Sequence, residues 1–533
     1  MFLLLLCILS AVLMSLPWLV PSAGFTALVG LVPLLLMELY AQSRGMKRIF
    51  WWSYLAFFMW NFATTFWVCN ATIGGGIFAS LANAFQMALV FALFRLSKKR
   101  FGGRLPYLFL VCLWIAWEKL YFSAEISWPW LTLGNAFGRT TRLAQFYEYT
   151  GSLGGSLWIW ASNLAVFFLI CDITGGASRS RRAFDGALAA IVLLGPAIWS
   201  EAIYHSYQER SEGTLEVVIG QPNFDPYHKF ESMTQEQQNQ VLLRLFGSQD
   251  LAAGQTPLLL LAPETFTSDI RLNDIRLSRT WNSFQEFLID KPGVNMLFGA
   301  ATHELIERNA RPSWTARRIR DGLWAQGRNS ALVIDNTGRT EIFHKSKLVV
   351  GVEKTPYPAI FSRIDDMLGG VMGRDIGQDE VSLLNVCAYD TLGAVCAKVP
   401  LGCAVCYESI YGDYCRGYVQ KGAQAMTVIT NDAWWGDTPG YRQHLSYSSL
   451  RAIELRRDIA RCGNTGISAF IDQRGDIVSE SGWWQEAVLR GGINLNSRQT
   501  VFVRCGDVVG RICTLCAALM ALALLVMLAI RRR

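Results

Sequence analysis

A carboxylate, an amine and a thiol each stand in or at the end of a short apolar run in this chain. Glu264 closes Leu259-Leu260-Leu261-Ala262-Pro263-Glu264, where a buried strand gives way to a proline and then a carboxylate. Partial desolvation at such a place lifts a carboxyl pKa toward that of a useful general base. Lys345 lies in Phe343-His344-Lys345-Ser346-Lys347-Leu348-Val349, and Cys406 in Gly402-Cys403-Ala404-Val405-Cys406-Tyr407-Glu408. Singly, each has a plain structural explanation: a capping carboxylate, a snorkelling edge lysine, a cysteine packed in a core. Lys347 shares a strand face with Lys345 by the two-residue period and rivals it for the lysine position. Cys403 and Cys406 form a CxxC, but no second CxxC and no nearby His pair completes a zinc site. A redox pair would open a helix rather than end a strand. Neither a metal nor a cofactor is expected.

These residues fall in a middle region, 213–500, that alternates β-rich apolar runs with polar, helix-like stretches. Strands are predicted at Leu215–Gln221, Pro257–Ala262, Asn295–Ala300, Ser330–Asp335, Ala404–Cys406, Met426–Thr430 and Ile467–Ile471. Helices are predicted at Thr234–Phe246, Thr280–Leu288, Gly412–Gln420 and Tyr447–Arg461. Such alternation argues for a layered α/β sandwich.

The flanks are of another kind. Hydrophobic residues make up 52% of the 533 and charged residues only 17%, against about 25% charged in soluble proteins. The apolar excess lies before about residue 205 and after about 508. Eight segments, near 2–20, 23–41, 51–70, 77–96, 105–122, 155–173, 184–204 and 510–530, are apolar over nearly the length of a spanning helix, which is roughly 20 residues. Basic residues follow the second (Arg44, Lys47, Arg48), fourth (Arg95, Lys98, Lys99, Arg100, Arg104), sixth (Arg179, Arg181, Arg182) and eighth (Arg531, Arg532, Arg533) segments. The positive-inside rule then puts both termini in the cytoplasm and the middle region outside it. The expected organisation is 1–204 as seven spans, 205–505 as an extracytoplasmic catalytic domain, and 506–533 as a last span with a basic tail. Between the fifth and sixth spans, Trp128-Pro129-Trp130-Leu131 is too short to cross and reads as an interfacial aromatic belt or a re-entrant piece beside a lipid path.

The net charge of +7 does not indicate nucleic acid, because the basic residues cluster in the short loops between apolar runs. Of 13 cysteines, Cys7, Cys69, Cys112, Cys171, Cys513 and Cys516 lie in apolar segments, and Cys387, Cys396, Cys403, Cys406, Cys415 and Cys462 in the middle region; Cys505 sits at the boundary. That number tolerates disulfides without requiring them. A transporter would carry several ionisable residues inside its spans; here there are few, chiefly Glu38, Glu118 with Lys119, and Glu201.

Glu, Lys and Cys separated by 81 and 61 residues, in that order, resemble the nitrilase superfamily. With the apolar flanks, the whole chain is similar to the apolipoprotein N-acyltransferases, its membrane-embedded branch. The resemblance rests on Val218-Ile219-Gly220-Gln221-Pro222-Asn223, Ala262-Pro263-Glu264-Thr265, Asn329-Ser330, Cys406-Tyr407-Glu408, Asn431-Asp432-Ala433-Trp434-Trp435-Gly436-Asp437 and Arg461-Cys462-Gly463-Asn464-Thr465-Gly466. Where that family reads Pro-Phe-Gly-Glu, this chain has Val350-Gly351-Val352-Glu353, keeping the glutamate. Its usual Tyr before Asn-Ser is Arg328 here. The resemblance implies a nitrilase-like αββα sandwich on an eight-helix membrane base, in the inner membrane of a bacterium with the catalytic domain periplasmic. It implies an enzyme that moves an acyl chain from a phospholipid, through a thioester on Cys406, to the α-amino group of a lipid-modified apolipoprotein; a monomer is expected. Glu264 would be the base and Lys345 the oxyanion partner, with Glu353, Tyr407, Glu408, Trp434 and Trp435 in support. A membrane-tethered amidase, in which water ends the thioester, is the alternative.

Overall fold

The computed structural model describes residues 1–226, 229, 233–252, 256–367, 371–390 and 392–530. Arg531, Arg532 and Arg533, used above for orientation, lie outside the described residues. The chain divides into two compact units, one of Met1–Tyr207, Thr438–Leu450 and Arg504–Arg533, the other of Gln208–Asp437 and Arg451–Val503.

In the first unit, six helical stretches are long and apolar enough to cross a membrane: Phe2–Leu19, Ala23–Ser43, Ile73–Ser97, Ser152–Thr174, Arg179–Ser206 and Val508–Ile530. Two apolar helices of 17 residues each, Ile49–Thr65 and Leu105–Tyr121, occupy the other two predicted positions. The few charges among them are paired or bonded: Glu38 with Lys98 at 2.6 Å, Lys119 with Asp507 at 3.0 Å, and Glu118 accepting from the Leu133 N–H at 2.8 Å. Trp130 is buried rather than belt-like. Its ring stacks on Trp128 at 5.4 Å and its Nε1 donates to Gln443 at 2.7 Å, so this part of the 123–154 loop packs into the unit as short turns.

The second unit holds thirteen strands among the described residues: β1 Thr214–Gln221, β2 Leu258–Leu261, β3 Val294–Glu307, β4 Arg317–Arg320, β5 Leu323–Asp335, β6 Thr340–His344, β7 Leu384–Tyr389, β8 Val395–Val405, β9 Ala425–Thr430, β10 Ile459–Gly463, β11 Ala469–Ile471, β12 Ile477–Glu480 and β13 Ala487–Asn494. One sheet runs β13-β1-β2-β3-β5-β4 with β6 also on β5; the other runs β12-β11-β10-β9-β8-β7. In each sheet three neighbouring strands are parallel, β1-β2-β3 and β8-β9-β10. Parallel strands are covered on both faces, which is why β2 and β9 are wholly buried and read as unbroken apolar runs. Helices Gln235–Gly247 and Arg279–Leu288 supply Leu242, Phe246, Phe284 and Leu288 to the core on the first sheet. On the other sheet the Tyr418 ring, from helix Gly412–Gln420, lies so close to Gly402 of β8 that a Cβ there would meet it at 2.8 Å. Between the sheets Asn295 exchanges two hydrogen bonds with the Cys387 backbone, at 2.8 and 3.0 Å. The result is the helix–sheet–sheet–helix sandwich expected from the sequence.

One predicted element changes type. The helix expected to reach Arg461 ends at Leu455, and Ile459–Gly463 is a strand parallel to β9. Arg456 adopts φ +49°, a left-handed conformation that stops a helix. Arg457 and Arg461 are buried and bond within the domain.

Candidate active site

The carboxyl ends of the parallel strands gather the reactive groups, the usual place for chemistry in open α/β sheets. Glu264 follows β2, Cys406 follows β8 and Asn431 follows β9, while Lys345 follows β6.

Glu264 is buried, and each of its oxygens is used. Oε1 accepts from Lys345 Nζ at 3.0 Å and Asn329 Nδ2 at 2.8 Å; Oε2 accepts from the Asn431 N–H at 3.1 Å. The turn that carries it is clamped to β3: Gly299 donates to the Pro263 carbonyl at 3.1 Å, and Phe266 donates to the Gly299 carbonyl at 2.8 Å. Only a glycine fits there, because a Cβ would lie 2.5 Å from Glu264 Cα.

Lys345 is almost wholly enclosed. Its ammonium reaches Glu353 Oε1 at 2.9 Å as well as Glu264, and Asn329 Nδ2 bonds Glu353 Oε1 at 2.7 Å. Glu353 Oε2 accepts from the Val349 N–H at 2.7 Å. Burial works against the Lys345 charge, but Glu264 and Glu353, with Cys406 beside them, outweigh it and hold the pKa well above the usual lysine value. An ammonium has three N–H donors; two point at carboxylates, and the third has no partner among the described residues. Lys347 does not share this place. Lys345 already lies past the end of β6, so the two lysines are not on one strand face, and Lys347 Nζ instead sits 5.3 Å from the Tyr411 ring.

Cys406 takes φ +52° directly after β8 and starts the short turn Cys406–Ile410. A left-handed non-glycine residue costs on the order of 1–3 kcal/mol, a strain found where a side chain must be presented at a sharp bend. Burial pushes the thiol pKa well up, Glu264 pushes it further, and Lys345 opposes both. Burial and Glu264 together favour the neutral thiol, against Lys345.

Glu408 is fully buried, not a solvated turn residue. It accepts from the Ser346, Lys347 and Val405 N–H groups at 2.7, 3.2 and 2.9 Å, tying the residues after Lys345 to the residue before Cys406. Burial lifts its pKa to about 7. Tyr407 is buried with its ring 5.3 Å from that of Tyr411. Trp434 is exposed and Trp435 half-buried beyond the Asn431 turn. Asp432 pairs with Arg461 at 2.6 Å, both wholly buried, and accepts from the Thr430 hydroxyl at 2.7 Å, fixing the end of β9.

Two contributors, Gly299 and Lys229, carry no local sign in the sequence, and the Asn329-Ser330 motif does not reveal what Asn329 bridges. Gly299 lacks a side chain, and the bridging role of Asn329 depends on Glu264 and Glu353 arriving from two other segments. Lys229 is a second buried lysine; its Nζ donates to the Thr265 carbonyl at 2.5 Å, next to Glu264, and burial draws its pKa down to about 8. The motifs Gln221-Pro222-Asn223 and Gly463-Asn464 prove to clasp each other: Asn464 bonds the Phe224 backbone at 3.0 and 2.7 Å, and the Asn223 N–H donates to the Asn464 carbonyl at 3.0 Å.

A two-sheet sandwich with a carboxylate, an ammonium and a thiol at its strand ends defines a domain of the carbon–nitrogen hydrolase class, and the family model "Carbon-nitrogen hydrolase" matches residues 306–501. A second model, "Apolipoprotein N-acyltransferase N-terminal domain", matches residues 10–165. The apolipoprotein N-acyltransferase of Chlorobaculum tepidum is 28% identical over 505 residues, covering 93% of this chain and 91% of that protein. The protein of that name from Geobacter metallireducens is 26% identical over 532 residues, covering 97% and 94%. That from Thermotoga maritima is 25% identical over 405 residues, covering 76% and 68%. Over nearly its whole length the chain is thus similar to proteins named apolipoprotein N-acyltransferase.

Proposed function

We propose that this protein transfers a fatty acyl chain from a membrane phospholipid to the α-amino group of a lipid-modified N-terminal cysteine on a lipoprotein. The observation that carries the mechanism is Lys345 held between Glu264 and Glu353 with one donor to spare. Glu264 takes the Cys406 proton as the sulfur attacks the ester carbonyl, which spares the site a free thiolate that burial disfavours. The oxyanion of the tetrahedral intermediate takes the remaining Lys345 donor. Collapse expels the lysophospholipid alkoxide, which receives the proton from Glu264, and leaves a thioester on Cys406. The incoming amine then attacks the thioester, Glu264 accepts its proton, and the departing sulfur recovers it.

Glu353 and Glu408 act by placing Lys345 and the turn at Cys406. Tyr407 packs behind that turn, and Trp434 and Trp435 line the path of the acyl chain or headgroup. The apolar helices and the family fit an inner-membrane protein. In this reading both termini are cytoplasmic, the catalytic unit is periplasmic and the protein works as a monomer; the loop charges support the orientation. A large helical base suits two lipid substrates and has no purpose for a soluble amide, which favours transfer over hydrolysis. The test is purified protein in nanodiscs with phospholipid labelled in its acyl chain and a diacylglyceryl-cysteine peptide. Label on the peptide nitrogen is the expected result; label appearing only as free fatty acid would establish the hydrolase instead.

A further inference from the structure

A concave site whose lining includes none of Glu264, Lys345 and Cys406 lies on the arm formed by β3 and β5. These strands pair without interruption from Asn295↔Asp335 to Glu307↔Leu323, and β4, whose four residues Arg317–Arg320 are all exposed, runs along β5. An open cleft of about 570 Å³ is lined there by Arg311, Arg317, Arg318, Trp324, Asp366 and Arg374. Two of the four guanidinium groups have carboxylate partners: Arg374 bonds Asp365 and Asp366, each at 2.7 Å, and Arg318 pairs with Asp321. Arg311 and Arg317 have no carboxylate within ion-pair distance among the described residues. Both are anchored through backbone carbonyls, Arg311 on Trp314 and Ala316, Arg317 on Met372 at 3.1 Å. A guanidinium has five N–H donors, so each keeps donors for a ligand. Among the lining residues four guanidinium groups face one carboxylate, Asp366, which leaves the lining net positive. Trp324 is fixed at its wall, donating to the Arg308 carbonyl at 2.9 Å.

We propose that this cleft binds a phosphate group. Fixed, unpaired guanidinium planes offer paired N–H donors that match the oxygens of a phosphate, and a solvent-open site lets the ligand keep part of its hydration. The cleft also adjoins the loop that holds Lys345. Arg374 in its wall pairs by a β-bridge with Lys354, the residue after Glu353, and the neighbouring Asp375 N–H donates to the Glu353 carbonyl at 2.9 Å. A membrane lipid headgroup and a soluble ester present the same phosphate, and the chemistry of recognition is the same.

The test uses full-length Cys406→Ala protein, so that binding is read without turnover and does not depend on the acyl-transfer reading. Equilibrium dialysis with labelled inorganic phosphate and glycerol 3-phosphate measures the soluble arm. Native mass spectrometry from phosphatidylglycerol nanodiscs, against a phosphate-free diacylglycerol control, measures the lipid arm. The added Arg311→Ala/Arg317→Ala pair should weaken phosphate binding at least about tenfold, and Arg318→Glu, at a largely exposed position, should weaken it in the same direction. Loss confined to the lipid arm assigns the site to a headgroup, and loss in dialysis assigns it to a soluble ester. Equal retention by all the proteins in both arms, or displacement of phosphate by poly-glutamate at equal charge, would overturn the proposal.

Discussion

Replacing Gly299 by alanine adds one methyl group, and the structure says what it must meet. The new Cβ would lie 2.5 Å from Glu264 Cα, 2.6 Å from the Thr265 nitrogen and 2.8 Å from the Pro263 oxygen. All three are backbone atoms, so no side chain can swing aside. Carbon contacts settle near about 3.5–4 Å, so β3 and the Glu264 turn must part by about 1 Å. That separation stretches the two hydrogen bonds joining Gly299 to Pro263 and Phe266, and carries Glu264 away from Lys345, now 3.0 Å distant. Overpacking of this kind costs about 1–3 kcal/mol of stability, while a 1 Å misplacement of a reacting group costs about 100-fold in rate. The assay is the single-turnover rate of Cys406 acylation by labelled phospholipid, with a thermal melt on the same samples. We expect acylation to fall by about two orders of magnitude in a protein that still melts cooperatively. A Gly299→Ala protein that acylates at the wild-type rate would refute the claim that the β3 contact places the base.

The two lysines should separate cleanly. Lys345→Ala should lower acylation by about 100- to 1,000-fold, and Lys347→Ala by less than about threefold; the reverse order in a stopped-time acylation assay would move the oxyanion partner to Lys347. With its pKa lifted to about 7 by burial, Glu408 gains a proton as pH falls through that value, and an O–H then faces the Ser346, Lys347 and Val405 N–H donors. The acylation rate should therefore decline below about pH 7, and Glu408→Gln, slower but unable to titrate, should remove that inflection. Its contribution to stability runs the other way, greater on the acid side and lost as pH rises through about 7, because the folded pKa lies above the unfolded one. Asp432→Ala strands the wholly buried Arg461 guanidinium and should cost about 3–5 kcal/mol in denaturant unfolding; a change under about 1 kcal/mol would mean the pair is not holding β9.

How much of this was legible in the sequence depended on where each residue's partners sit. β1, β2 and β9 were read nearly to their ends because strands buried on both faces are continuous apolar runs. The exposed strands β4 and β12 gave no such pattern. Buried arginines disguised β10 as helix, since nothing local says that Asp432 will neutralise Arg461. The Glu, Lys and Cys positions stood out through their order along the chain. That Glu408 is a buried acceptor of three N–H groups follows only once β6 and β8 end side by side. The strand period that would pair Lys347 with Lys345 stops at His344, before either lysine.

The most direct test of the central claim is intact-protein mass spectrometry after incubation with phospholipid, on wild type and on Cys406→Ala. One acyl adduct is expected on the wild type, removed by hydroxylamine, and none on the variant. An adduct that persists on Cys406→Ala would place the nucleophile on another residue, Cys403 first, and contradict the mechanism.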